Sequence, residues 1–374
     1  GIRFIDEIVG HIHQDPQLIS VIQRMFTRLL PMIPSVTYKD DILSRFQRYF
    51  PKKTDDIGSL FFIQMYLEHA KIKKSLGKAS DVLQTYSSIE EMFGSLKETE
   101  SMLSLQMSFY GLVASFYENE SQSIAKEYDV KQQAILKKLS AISPNSPKLK
   151  RNELYALRRK WNLSDQHENV EQMDEYTKKM IIMADKLLKS APEVADHVYD
   201  RAISNTYQAD LFMNNGNWEN AIQKYKEALQ VLENLHRVNA EDLEIPKAIA
   251  MNYERLGDCY ILQFPSVAKK YYEIAKSYVR RFAKSEQYPS LLLREAACAI
   301  EEQPEYACQL LLQLVTNTKR LSFLSIEAKE LLRRSYLERG DATEANHWNG
   351  QILNELEEFV IAGRYPKQLS WILE

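Results

Sequence analysis

Apolar residues along this chain recur at intervals of three and four, the spacing that lines one face of an α-helix. Behind Asp15-Pro16, a helix cap followed by a proline at the first helical position, Leu18, Ile19, Val21, Ile22, Met25, Phe26, Leu29 and Leu30 keep that spacing until Pro31 and Pro34 close it. A second helix is predicted from about Tyr38 to Tyr49, stopped by Pro51. Residues 1–55 therefore read as a helical entry module. Between Pro51 and Pro144 there is no proline, but Gly77, Gly94, Ser87-Ser88 and Glu118-Asn119-Glu120-Ser121 interrupt the period, which predicts four or five helices over 56–143. Ser143-Pro144-Asn145-Ser146-Pro147 is the best linker candidate. Helices resume near Leu149 and run to Ala362, with turns near Ser164-Asp165, Ser190-Ala191-Pro192 and Asn214-Asn215-Gly216. Gly363 stops the last one, and Leu369, Trp371 and Ile372 in the tail are expected to dock back.

Composition supports an all-helical reading. Glycine and proline number 11 and 12 in 374 residues, about 6 % together where average usage is roughly 12 %, too few for the many turns of a sandwich or barrel. At 45 % apolar the chain has material for a large core. With 48 Lys+Arg against 51 Asp+Glu, the net charge of −3 gives no general attraction to nucleic acid or membrane. No apolar run reaches the ~20 residues of a membrane span, so membrane insertion is not expected. Cys259, Cys298 and Cys308 are odd in number and lack CxxC spacing, as expected of structural thiols in a reducing, cytoplasmic setting.

Residues 204–232 carry a grammar finer than helicity. Ala209 and Phe212 fall on one helix, Gly216 and Trp218 at a turn, and Ala221, Tyr225 and Ala228 on the next helix. This resembles the tetratricopeptide repeat, in which small residues let two antiparallel helices approach and large ones fill the gap to the next pair. A second copy has Leu256-Gly257 and Tyr260, then Ala268, Tyr272 and Ala275 after a turn, Gln263-Phe264-Pro265-Ser266, one residue shorter. A weaker third copy runs from Leu291 through Ala296, Pro304, Ala307, Leu311 and Leu314. The fourth has Leu332, Tyr336, Gly340-Asp341, Ala345 and Ile352, with Trp348 in the inter-repeat packing. The first two copies stand 48 residues apart instead of 34, the excess falling in HRVNAEDLEIP. Upstream, Ala70, Gly77, Ala79, Val82, Tyr86 and Met92, then Tyr110-Gly111, Ala114, Ala125 and Tyr128, match only loosely. The resemblance implies a right-handed superhelix of helix pairs: degenerate repeats over 56–143, then clearer repeats with a capping helix and tail over 148–374.

In such folds the first helix of each pair lines a concave face that takes peptides or protein segments. The corresponding groove positions are Thr206, Asp210 and Asn214 in the first copy and Glu254, Arg255 and Asp258 in the second, with Arg334 nearby. Asp210, Glu254 and Asp258 would repel a terminal carboxylate, so a mixed-charge or basic protein partner suits them better than a chaperone-tail ligand. Exposed charges on solenoid helices are also ordinarily just solvated. Residues 131–160 hold a basic run, Lys131, Lys137, Lys138, Lys148, Lys150, Arg151, Arg158, Arg159 and Lys160, with Tyr155 and Trp161 interleaved. It is a candidate for phosphates or bases, although the proline break divides it and solvated helix faces explain it more simply.

Catalytic motifs are missing: Gly77-Lys78 continues into Ala79 and forms no phosphate loop, and GxGxxG, HExxH and GxSxG do not occur. His11 and His13 have no companions for a metal set, and no cofactor is expected. The expectation is a non-catalytic scaffold that binds a protein or peptide. The alternatives are the ligand-sensing repeat domain of a larger signalling ATPase of the STAND type, suggested by the absent initiator methionine, or a helical-repeat receptor for signalling peptides. Nucleic-acid binding through 131–160 is the remaining one. No feature of the sequence assigns an oligomeric state.

Overall fold

Fifteen helices and no strand make up the described residues of the computed structural model, which are 36–49, 56–76, 78–117, 121–144, 146–166, 169–239, 244–280, 289–317 and 323–361, with positions 30 and 33. In chain order they are α1 (Val36–Tyr49), α2 (Asp56–Ser75), α3 (Ala79–Phe93), α4 (Glu100–Tyr117), α5 (Gln122–Ile142), α6 (Pro147–Gln166), α7 (Val170–Ser190) and α8 (Ala195–Asn214). They continue as α9 (Trp218–Val238), α10 (Glu244–Asp258), α11 (Pro265–Val279), α12 (Pro289–Ala299), α13 (Pro304–Asn317), α14 (Phe323–Glu338) and α15 (Ala342–Ile361). The predicted entry helix behind Asp15-Pro16 (all but its last position), Gly77, the His11/His13 pair and the tail with Leu369, Trp371 and Ile372 lie outside the described residues. The turn expected at Ser164-Asp165 is helical, because α6 runs on to Gln166.

The chain divides into two compact units, 1–159 and 160–374, the division falling within α6. In the first, Ile63, Ala70, Val82, Tyr86, Ile89, Met107, Phe109 and Leu139 form one apolar core. A polar cluster accompanies it. His69 is fully buried, with Nε2 at 2.8 Å from the Asp40 carboxylate and 3.4 Å from the Ser44 hydroxyl, while Nδ1 has no hydrogen-bond partner. Lys78 donates to the other Asp40 oxygen at 2.6 Å. Burial holds the His69 imidazole below its ordinary value against the pull of Asp40, and Lys73 and Lys78 add to the lowering.

In the second unit α8/α9, α10/α11, α12/α13 and α14/α15 are antiparallel pairs, each packed on the next. Their turns and contacts explain the spacing read from the sequence. Gly216 and Gly340 have φ of 70° and 75°, the left-handed conformation that favours glycine. At both, the glycine N–H reaches back three residues (to Met213 and Leu337) and the next N–H five (to Phe212 and Tyr336), which closes the helix end. The residue after each glycine starts the following helix: the Asn217 and Asp341 side chains accept from the N–H groups of Asn220 and Glu344. At Ala209, Ala221, Ala228, Gly257, Ala268, Ala275, Ala307 and Ala345 the helices touch, and all eight are buried. Gly257 is the tightest point, where a Cβ would stand 2.3 Å from the Tyr272 ring. The 48-residue period is accommodated by long helices, 20 and 21 residues in α8 and α9. Trp348 does join the inter-repeat core, with Leu311, Ala328 and Leu332.

Two consequences can be measured. Gly257→Ala forces backbone or ring apart and is expected to lower unfolding free energy by about 1–3 kcal/mol in a denaturant titration. A double-mutant cycle with Tyr272→Leu will show coupling if that ring is what the methyl meets. For His69, the folded state binds fewer protons than the unfolded chain once pH drops below the free-histidine value of about 6.5. Stability of the first unit should then fall with acidification from that point, and His69→Gln should flatten that part of the profile.

Candidate functional site

The first helices α8, α10, α12 and α14 of the second unit bring a set of charges together. Asp210 follows the small residue Ala209 on α8, and Asp258 follows Gly257 on α10, so each acid sits one step from the close contact of its pair. The second helix of each pair sends a tyrosine over that small residue. The Tyr225 phenol donates to Asp210 at 2.5 Å and the Tyr272 phenol to Asp258 at 2.9 Å. Burial, with the adjacent carboxylate, pushes both phenols above the ordinary tyrosine value, so both remain donors at neutral pH.

Arg294 on α12 completes one half of the site. Its Nε and one terminal nitrogen donate to the two Asp258 oxygens at 2.6 and 2.7 Å, and the other terminal nitrogen meets Glu254 at 3.0 Å. This two-pronged geometry is the strong form of the arginine–carboxylate pair. Arg255 stands differently. It lies between Asp210 and Asp258 at 3.9 Å from each, outside hydrogen-bond distance, with 41 % of its side chain accessible against 20 % for Arg294. Glu327 on α14 is close enough for Arg294, Asp258 and Arg255 to act on its charge. Burial raises the Glu327 carboxyl despite the two arginines. Asp210 is likewise raised, by burial foremost and against the pull of Arg255 and Tyr225. Asp210, Glu254, Asp258 and Glu327, four carboxyls, thus stand near two guanidiniums, and the charge of Asp165 on α6 also bears on Asp210. Burial together with Asp258 and Asp210 lifts the neighbouring Cys259 thiol to about 12, so it stays protonated and unreactive at neutral pH.

The groove positions proposed from the sequence separate into three groups. Asp210, Glu254, Arg255 and Asp258 meet in this cluster, paired with each other and with protein partners instead of standing as a row of solvated charges. Thr206 turns inward: it is buried, and its hydroxyl donates to Asn252 at 2.9 Å, tying α8 to α10. Asn214 donates to Asp165 at 2.7 Å near the edge of the unit, and Arg334 is held by buried Glu330 at 2.8 Å, which also holds Arg333. Arg294, Glu327 and the tyrosine hydroxyls were missed. The third repeat is the weakest match, so its register did not reveal that Arg294 shares the face of Asp258.

The basic run does not form one exposed patch. Lys148, Arg151, Tyr155 and Arg158 do share a stripe of α6 at 3–4–3 spacing. The two guanidiniums lie over the Tyr155 ring at 5.6 and 5.1 Å. Lys150 and Lys160 fall off that stripe on other sides of the helix. Arg158 and Arg159 are buried, and Arg159 points away, donating to Asp129 at 2.9 and 2.8 Å and to Gln132. Lys131 and Lys138 pair with Glu90 and Glu98. A ring already covered by two guanidiniums offers little face to a stacking base. Among the described residues, no helix is long and apolar enough to cross a membrane.

The difference between the two arginines is testable. Arg294→Gln strips Asp258 and Glu254 of a charge-assisted partner and is expected to lower stability by about 1.5–3 kcal/mol. Arg255→Gln should stay within about 0.5 kcal/mol of the parent in the same thermal or denaturant assay.

No protein-family model and no curated protein matches the sequence. Solved structures do match. A Rap protein in complex with competence and sporulation factor aligns over 93 % of this chain and 88 % of its own, with TM-score 0.59 and 11 % identity. The apo form of the quorum sensor NprR from B. thuringiensis aligns over 95 % and 92 %, with TM-score 0.57 and 14 % identity. The apo form of RapI covers 79 % of this chain and 99 % of its own, with TM-score 0.52 and 12 % identity. Identities this low speak for the fold alone. Together with the paired helices, the turn glycines and the small-residue contacts, they show that the chain is a tetratricopeptide-like helical repeat protein.

Proposed function

We propose that residues 160–374 are a peptide- or protein-binding scaffold, and that the first-helix face of α8, α10, α12 and α14 takes an extended partner through a cationic group. The observation that carries this reading is the charge cluster: four carboxyls against two guanidiniums, two of the carboxylates already oriented by tyrosine hydroxyls. Preorganised acceptors of this kind need no reorganisation when a donor arrives, which favours binding over a merely solvated surface. The fold neighbours agree in kind, one having been solved with competence and sporulation factor bound and another being a quorum sensor. Held-down reactivity fits a binding role too, because Cys259, Tyr225 and Tyr272 all keep their protons.

Fluorescence anisotropy with labelled short peptides of systematically varied charge tests this. Peptides carrying Arg or Lys should bind and their acidic counterparts should not. Asp210→Asn combined with Asp258→Asn should weaken capture tenfold or more, equivalent to about 1.4 kcal/mol or above. Capture should also weaken as the pH falls, beginning above the ordinary carboxyl values of about 3.9–4.3. Asp210 and Glu327 take up protons above the usual carboxyl range, and each proton removes a negative charge from the site. Failure of every peptide to bind, or binding indifferent to the double substitution, would refute the reading.

A further inference from the structure

Arg255 is the member of the cluster whose geometry does not match its surroundings. Asp210 is held by Tyr225, and Asp258 by Tyr272 and by both prongs of Arg294, all within hydrogen-bond distance. Arg255 acts on both acids through its charge but bonds to neither. Its guanidinium stands 3.9 Å from each acid, outside hydrogen-bond distance, and 41 % of the side chain is open to water. Its position on α10 sets this compromise, since the guanidinium is tethered between an acid on α8 and one on its own helix, three residues away. We propose that Arg255 is an internal stand-in for the ligand, a displaceable plug, and that binding consists in a partner's guanidinium or ammonium group taking its place between Asp210 and Asp258. The proposal rests on the groove reading above and specifies what that groove recognises.

Three features support displacement over simple addition. Both carboxylates stay aimed when Arg255 leaves, because their other partners hold them. The slot then presents four carboxyls (Asp210, Glu254, Asp258 and Glu327) to one remaining guanidinium, Arg294, a stronger pull on a cation than before. A partner's cation, free of the tether, can approach to the ~2.7–2.9 Å of a charge-assisted hydrogen bond that Arg255 does not reach. Arg255 in turn moves into solvent that already touches its side chain. A protein whose competent state is only partly populated binds more weakly by that fraction, so Arg255 sets both a threshold for binding and a preference for a cation able to compete with it.

The test is selection of a randomised heptapeptide phage library on the full chain, on Arg255→Gln, and on Asp210→Asn with Asp258→Asn. Selected peptides are then synthesised and titrated, each beside a counterpart with citrulline for arginine or norleucine for lysine. Circular dichroism and a melting curve check that each variant is folded. The expected result is peptides rich in Arg or Lys at one position, bound about 3–10-fold more tightly by Arg255→Gln than by the parent chain. That gain should vanish for the neutral counterparts and for the double acid variant. Arg255→Lys, which keeps a tethered cation, should resemble the parent. If the parent selects peptides but folded Arg255→Gln binds them equally or more weakly, Arg255 is either idle or a hook for an anionic group. The plug is then overturned while the groove reading stands. If neither the parent nor any variant selects a peptide, the groove reading fails and the plug falls with it.

Discussion

The second unit depends on a close approach between two helices at a residue with almost no side chain. At Gly257 the backbone of α10 lies so near the Tyr272 ring that even a methyl group would overlap it. The ring fills the space the small residue leaves, and its hydroxyl donates to Asp258, the next residue of α10. Tyr225 is fully buried in the same core as Ala209, and it bonds Asp210 next door. Packing and site chemistry are thus one device used twice. The tyrosine that locks a helix pair also positions an acid on the first-helix face. Burying an aromatic ring of this size contributes about 1.5–3 kcal/mol, while the hydroxyl adds little net stability and mainly sets direction.

This coupling explains how much could be read in advance. Helix pairing in the second unit was legible because glycine and alanine positions have no alternative explanation as strong as interhelical contact, and the left-handed turns at Gly216 and Gly340 repeat with the same cap behind them. Asp210 and Asp258 were legible as first-helix residues because each follows a small residue at the same register. Their surroundings were not. A repeat pattern says which face a residue occupies, not what stands opposite it, and the third repeat offers no small residue placed to fix Arg294 against Asp258. Thr206 shows the converse error. It keeps helical spacing with Asp210, yet a few tens of degrees of rotation put its hydroxyl in the core beside Asn252. The basic run has the same ambiguity: nine charges close in sequence point to different sides of their helices, as the proline break suggested, and one of them, Arg159, is spent inside the first unit on Asp129.

Ion pairs inside a candidate groove would usually argue for structure and against recognition. Here geometry separates two kinds of pair. Arg294 makes short bonds to two acids from another helix and so links α12 to α10. A comparable job is done by Lys329 and Glu355, a buried pair at 2.6 Å between α14 and α15, and by Glu330 beneath two arginines. Such pairs fix register, and their net contribution to stability is small once desolvation is counted. The same second unit therefore contains ion pairs at hydrogen-bond distance beside the longer ones that Arg255 makes to Asp210 and Asp258.

That contrast decides what kind of surface the first helices present. A face evolved only for solubility has no need to bring Asp210, Glu254, Asp258 and Glu327 together, because like charges repel one another and oppose the packing that holds them. Burial with the nearby Asp258 charge raises the Asp210 and Glu327 carboxyls. Arg294 relieves one pair of them completely. If relief were the whole requirement, a second arginine would be expected in the same bonded geometry, and Arg255 instead hovers at the limit of an ion pair on both sides. An arrangement that stabilises its acids only halfway leaves free energy to be gained by any cation that fits better. The surplus is greatest at the one place where two fixed carboxylates flank a loosely held guanidinium, so recognition is concentrated there and not along the whole row of helices.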